Sequence, residues 1–240
     1  MPIKQLAPLI AIIGSDGSGK STVSEQLRNE IEAYGAVQTA HLGKQSGNIA
    51  RSLAGLPLVG NWFGRMIARK VTKFEDSQTK NKTPNVFPSI VIFIFTLRRM
   101  WRFRRMLALR RHGFIIITDR YPQLDIPRAF DGPSLAANAE GNFLVRWLAR
   151  REHEAFEWMT SYKPDLIIRL NVDLDTACAR KPDHHRDLLR NKIEITPKLK
   201  FNGSPIVEID SAQALDIVVE QAMTAVAAIL TKHGYTSSKS

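Results

Sequence analysis

The sequence predicts an α/β fold, a parallel sheet with helices on both faces. Two observations carry this. Short apolar runs at residues 9–13 and 114–118 have the composition of strands buried on both faces, and 165–170 and 206–209 read as further strands. Stretches with helical spacing lie between them, and the two kinds alternate along most of the 240 residues without an internal repeat.

Leu9-Ile10-Ala11-Ile12-Ile13 forms the first strand, which the glycines of 14–19 break. Residues 20–34 follow as a helix, with Val23, Leu27 and Ile31 four apart and Gly35 as the stop. Residues 37–42 make a second strand. Residues 43–88 hold five glycines and the polar run 75–85, which predicts a loop-rich insertion with helices at 49–53 and 62–73. Residues 86–97 favour a strand by propensity. They run without a breaker into 98–111, so 89–111 is read as one long helix ended by His112-Gly113. Then come a loop at 123–133, helices at 135–161 and 173–179, a basic segment at 180–192 and a last helix at 211–233. Ala214, Ile217, Val218, Gln221 and Ala225 line one side of that helix. One domain over 1–234 and a Ser/Lys-rich tail at 235–240 are expected.

Hydrophobic residues at 44% and charged residues at 24% exclude wholesale disorder and collagen-like repeats. A single cysteine, Cys178, excludes an internal disulfide framework and a Cys-based zinc site; it suits a reducing compartment, so a cytoplasmic location is expected. It is read as a small buried hydrophobe. Residues 1–8 lack the pattern of a secretory leader. The longest apolar stretch, 86–97, is too short to cross a membrane. The net charge of +11 points to an anionic partner.

Residues 14–22 read Gly14-Ser15-Asp16-Gly17-Ser18-Gly19-Lys20-Ser21-Thr22 and match G-x-x-x-x-G-K-[ST], the phosphate-binding P-loop or Walker A motif. A strand precedes it and a helix follows, as its mechanism requires. Glycines let successive N–H groups turn inward onto phosphate oxygens. The helix points its positive end at the same oxygens. Lys20 has the reach for the β- and γ-phosphates, and Ser21 has the hydroxyl for Mg²⁺. Binding of ATP with Mg²⁺ is expected, and with it a P-loop hydrolase or kinase fold. Asn191-Lys192-Ile193-Glu194 ends in Glu where a GTPase N-K-x-D needs Asp, and no apolar run ends in Asp-Glu as in motor ATPases. A small-molecule kinase fits the size.

Further motifs follow in order. The third P-loop position is acidic, Asp16. Arg98 is followed by fourteen residues, then Gly113, a strand and Asp119-Arg120-Tyr121. Lys163-Pro164-Asp165-Leu166 opens a strand that runs to Asn171-Val172-Asp173. Over most of the chain this resembles the thymidylate kinase family. The resemblance implies that Asp16 contacts the acceptor's sugar hydroxyl, that Arg98 and Arg120 hold its phosphate, and that Asp119 lies near Mg²⁺. It implies a lid at 180–192 whose Arg180, Arg186 and Arg190 close over the transferred group, an adenine turn at Ile209-Asp210, and a homodimer. A mobile cationic lid would both stabilise the phosphoryl oxygens and exclude water. Two acceptor-side segments depart from the family. His41-Leu42-Gly43-Lys44-Gln45 replaces R-E-P-G-G, and Pro122-Gln123-Leu124-Asp125-Ile126-Pro127-Arg128 replaces S-x-x-A-Y-Q. The expected reaction is transfer from ATP to a nucleoside monophosphate, dTMP first. Alternatives are a kinase of a sugar or lipid-precursor metabolite, or a nucleotide-dependent protein that binds nucleic acid or membrane.

Several residues carry two readings. Asp125 and Asp131 are solvated loop carboxylates or readers of an acceptor hydroxyl or amine, and Asp125 is counted among the substrate contacts. The arginines of 98–111 suggest nucleic acid, a membrane surface, or an amphipathic helix with aromatics on the core and arginines in solvent. The last is preferred. His184-His185 is read as a polar loop and not a metal site. Trp147 and Trp158 are read as core residues.

Overall fold

The computed structural model describes residues 6–43, 86–127, 129–136 and 142–238. The predicted insertion helices at 49–53 and 62–73, Arg128 and the end of the tail lie outside the described residues. Chain order is β1 (Leu9–Gly14), α1 (Lys20–Ile31), β2 (Val37–His41), α2 (Val86–Arg111), β3 (Ile115–Asp119), α3 (Phe143–Thr160), β4 (Leu166–Asn171), α4 (Leu174–Arg180), α5 (Arg186–Ile195), β5 (Ile206–Asp210) and α6 (Leu215–Lys232). Two short 3₁₀ turns, Thr196–Lys198 and Phe201–Gly203, precede β5.

The five strands form one parallel sheet in the order β2-β3-β1-β4-β5. The fold is α/β, as the alternating pattern predicts. Because successive strand residues face opposite sides, β1 feeds two cores. Ile10 and Ile12 join Val23, Leu27 and Ile31 of α1 and Val218, Ala222, Val226 and Leu230 of α6. Leu9, Ala11 and Ile13 join Phe103 and Met106 of α2 and Phe156 and Met159 of α3. Each large apolar side chain so buried stabilises the fold by about 1.5–3 kcal/mol relative to exposure.

The long second helix forms as read, three residues earlier at its start. Pro88 falls in its first turn, where no N–H is needed. The other two long helices start later than predicted. The helix read over 135–161 begins at Phe143, where the Asn142 side chain accepts a hydrogen bond from Leu144 N at 2.7 Å and sets the N-cap. Leu135 lies outside it, and its N–H donates to the buried Glu152 carboxylate at 2.7 Å. The last helix begins at Leu215, and its buried side is Val218, Val219, Ala222, Val226 and Leu230; Ile217 and Gln221 are exposed.

The long arginine-rich helix also departs from the expected amphipathic pattern. Arg99 and Arg110 are buried, whereas Trp101 is 61% exposed. Trp158 packs on Phe103, Arg104 and Tyr162, but Trp147 is more than one-third exposed. Cys178 is half-buried. No helix among the described residues is long and apolar enough to cross a membrane.

Candidate active site

The strand order crosses over at β1, which lies between β3 and β4. In such sheets ligands bind beyond the carboxyl ends of the strands at that crossover. The 14–19 loop sits there and leads into α1. Gly14 is needed for close approach, since a Cβ would stand 2.4 Å from Ser18 Oγ and 2.6 Å from the Leu170 carbonyl oxygen. Lys20 is 8% exposed, and its Nζ donates to the Ser15 carbonyl at 2.6 Å. Burial and then the Arg120 guanidinium bring its ammonium down from 10.5 to about 8. The hydroxyls of Ser15 and Ser18 are buried without partners among the described residues. Buried polar atoms rarely go unsatisfied, so these point to a polar ligand. Ser21 and Thr22 are exposed in the first turn of α1.

Asp16 is the electrostatic hub. Its Oδ1 accepts from Arg120 Nη2 at 2.9 Å, its Oδ2 accepts from Lys192 Nζ, and His184 Nε2 lies 4.0 Å away. Burial would raise its carboxyl, but Lys192, then Arg120 and Lys20, hold it well below the usual carboxylate range. Asp131 in turn faces Arg120 at 3.9 Å and takes both guanidinium nitrogens of Arg99 at 2.8 Å, one on its carbonyl and one on its carboxylate. Burial opposes the charge on Arg120, yet Asp131, Asp16 and Asp119 together raise its pKa. Asp119 ends β3 with Oδ1 buried and without a partner among the described residues, and Oδ2 3.5 Å from His41 Nδ1.

Arg98 is exposed, whereas Arg99 and Arg102 of the same helix turn inward. Arg102 donates to the Gly43 carbonyl at 3.0 Å and leaves Nε and Nη1 buried without partners among the described residues. Burial and the like charges of Arg99 and Arg98 lower its pKa, so an anion there would relieve it. A side chain at Gly43 would crowd Arg120, because a Cβ would lie 2.7 Å from its Cδ. Gly43 thus lets the two guanidinium-bearing side chains approach from either side.

Arg180 reaches the loop itself, donating to the Gly17 and Ser211 carbonyls at 3.3 and 3.0 Å. Arg186 and Arg190 instead pair with Asp175 and Asp187 at 2.6 and 3.1 Å on the exposed surface. Asp125 is occupied by the backbone, with Oδ2 accepting from Lys200 N and Phe201 N at 2.9 and 2.8 Å. Gln123 is likewise occupied, with the backbone of Ile126 and Ala129.

Beside Gly14 and Arg120 lies a narrow cleft of about 20 Å³ walled by Tyr121, Phe130, Asp131 and Phe201. Arg120, Phe130 and Phe201 have φ of 68°, 45° and 47°. Left-handed backbone at bulky residues is strained by the order of 1 kcal/mol each and clusters at functional sites. Sequence reading missed Arg99, Arg102 and Lys192. Arg99 shares the i, i+4, i+7 face of Phe103 and Met106, a readable signal. Nothing local marks Lys192, which meets a residue 176 positions away.

No family model matches the chain. Two proteins of Escherichia coli strain K12 align with nearly all of it. YghS, named an uncharacterized ATP-binding protein, is 40% identical over 224 residues, 93% of this chain and 94% of its own length. YghR, described in the same words, is 36% identical over 222 residues, 92% of this chain and 87% of its own. With the loop of residues 14–22 set on a parallel α/β sheet, the chain belongs to the family of P-loop ATP-binding proteins that includes YghS and YghR.

Proposed function

We propose that this protein is an ATP-dependent kinase of a small phosphorylated acceptor, in the first place a nucleoside monophosphate such as dTMP. The observation that carries the reading is a second cationic centre, Arg102 and Arg120 on either side of Gly43, with Arg120 paired to the P-loop carboxylate Asp16. Triphosphate binding alone needs only the loop. A transferase needs two anion sites facing one reaction centre.

The residues divide the work as follows. Lys20 turns from the Ser15 carbonyl to the β- and γ-phosphate oxygens, which the loop amides also hold. The oxygen donors Ser21 and Asp119 suit Mg²⁺, and Asp119 Oδ1, unpartnered among the described residues, fits such a role; the ion would neutralise phosphate charge. Arg120 and Arg102 hold the acceptor phosphate. An acceptor oxygen attacks the γ-phosphorus, the bond to the bridging oxygen breaks, and ADP leaves. Arg180 steadies the loop backbone. Arg186 reaches the transferred group only after leaving Asp175, and the segment 180–192 then acts as a lid. The occupied side chains of Asp125 and Gln123 weaken a base-reading role for their loop, which keeps sugar and lipid-precursor phosphates as acceptors to test.

The test is ADP formation from Mg-ATP against nucleoside monophosphates, nucleosides, sugar phosphates and lipid-precursor phosphates, with Lys20→Ala as the blank. Stimulation by dTMP supports the first acceptor, and stimulation by another phosphate keeps the kinase and changes the acceptor. ATP binding without stimulation by any acceptor refutes the kinase. Lys20→Ala should lose about 3 kcal/mol or more of transition-state stabilisation, as removal of a preorganised charge does.

A further inference from the structure

The side of α2 turned away from the sheet is apolar. Ile90, Ile94, Leu97 and Trp101 fall within about 60° of one another around the helix at about 100° per residue, and they are 37%, 55%, 42% and 61% exposed. Phe103, Met106 and Arg110 occupy the opposite, buried side. On the neighbouring α3, Phe143 is 75% exposed and Trp147 39%, and Trp147 meets Phe93 of α2 with ring centroids 6.0 Å apart. The two apolar surfaces therefore adjoin. Together they exceed the scattered exposed hydrophobes that a soluble surface carries without cause.

Cations dominate the border of this patch, and the carboxylate on its α3 side, Glu154, is paired to Arg151 at 2.7 Å. The 26 residues of α2 include seven arginines and no carboxylate, and Arg98, Arg104 and Arg105 are exposed beside the stripe. The start of α3 adds Arg146, Arg150 and Arg151 ahead of its first carboxylate, Glu152. Residues 33–118 contain fifteen Lys and Arg against two Asp and Glu, a net +13, so the rest of the chain nets −2. The basic character of this protein belongs to the segment that bears the stripe.

We propose that α2 and the start of α3 dock on an anionic lipid bilayer. The helix lies in the plane of the interface, with Ile94, Leu97 and Trp101 at the acyl boundary and the flanking guanidinium groups on lipid phosphates. Charge complementarity selects this occupant. Two-fold pairing with a second copy would bring one arginine rim against the other. A nucleic acid would satisfy the arginines but leave Ile90, Ile94 and Leu97 in water.

The test is co-sedimentation of the full-length protein with phosphatidylcholine vesicles, with and without about one-third phosphatidylglycerol, at about 0.05 and 0.5 M salt. Binding should require phosphatidylglycerol and weaken with salt. Each cation near an anionic leaflet contributes about fivefold, so Arg104→Glu with Arg105→Glu should lower partitioning at least about 25-fold. Ile94→Ser with Trp101→Ser should lower it at least about tenfold at low salt, with the melting temperature unchanged because both side chains are exposed. The tryptophan emission should shift to the blue on vesicles, and Trp101→Phe should remove part of that shift. Two results would overturn the proposal. One is vesicle binding that ignores the Ile94 and Trp101 changes, which reduces it to charge alone. The other is a wild-type dimer in sedimentation velocity that the same changes dissociate, which gives the face to a second copy.

Discussion

The buried Lys20 ammonium makes nucleotide affinity a function of pH. With its pKa brought to about 8, roughly nine-tenths of the molecules hold the proton at pH 7 and roughly one-tenth at pH 9. A polyphosphate needs the charged form, so its dissociation constant should rise towards about tenfold per pH unit above 8, or about 1.4 kcal/mol per unit. Binding near pH 8 should take up about half a proton. Titration calorimetry in two buffers of different ionisation heat reads both quantities. The unliganded protein should show the opposite sign. The unfolded chain keeps this proton up to 10.5 and the native state releases it from about 8, so stability rises with pH between those values, by roughly 3 kcal/mol in all. Lys20→Met should abolish nucleotide binding, flatten that rise, and leave the protein about as stable or more stable at pH 7. A wild-type dissociation constant that stays level from pH 7 to about 9.5 would sink this account of a buried, field-depressed ammonium.

Substitutions at three further positions separate structural from functional charges. Asp131→Ala strands the buried Arg99 guanidinium and should cost about 3–5 kcal/mol in denaturant unfolding, with Asp131→Asn milder. Arg102→Met should lower kcat/KM for the acceptor by about 10- to 100-fold and leave ATP binding and melting temperature close to wild type, because it removes a guanidinium with two nitrogens unpartnered among the described residues. Asp125→Ala should cost about 1–3 kcal/mol of stability through two lost backbone hydrogen bonds without a selective rise in acceptor KM; a KM effect at full stability would return it to the substrate contacts.

Legibility followed the range of the interactions. β1, the loop and α1 are set by neighbours in sequence: a continuous apolar run, glycines, and Val23, Leu27 and Ile31 one turn apart. The start of α3 is overrun because apolar spacing is silent both about the cap that Asn142 supplies and about the buried Glu152 carboxylate, which holds Leu135 outside the helix from seventeen residues away. Arg98 and Arg99 differ by one residue, yet a helix turns about 100° per residue, enough to send one to solvent and the other to Asp131. α2 has two apolar sides, and periodicity cannot rank them. Lys192 and Asp16 meet only through the whole topology.

The end of α5 rests on a fixed post. Arg169, buried in β4, donates to the carbonyls of Pro197 and Leu199 and pairs with Glu208, while Asp125 holds Lys200 and Phe201 by their N–H groups. The chain directly after α5 is thus riveted from two sides, and α5 meets Asp16 through Lys192, one turn from that rivet. Rotation of this helix about Thr196 would make it a lever, working against the buried Leu189 midway along it. At about 1.5 Å per residue, Lys192 stands about 6 Å and Arg186 about 15 Å from the fulcrum, so a displacement at Asp16 is magnified about 2.5-fold at Arg186. A small rearrangement of charge around one P-loop carboxylate would sweep the far end of the helix, and the exposed Arg186–Asp175 pair is the one it would break first.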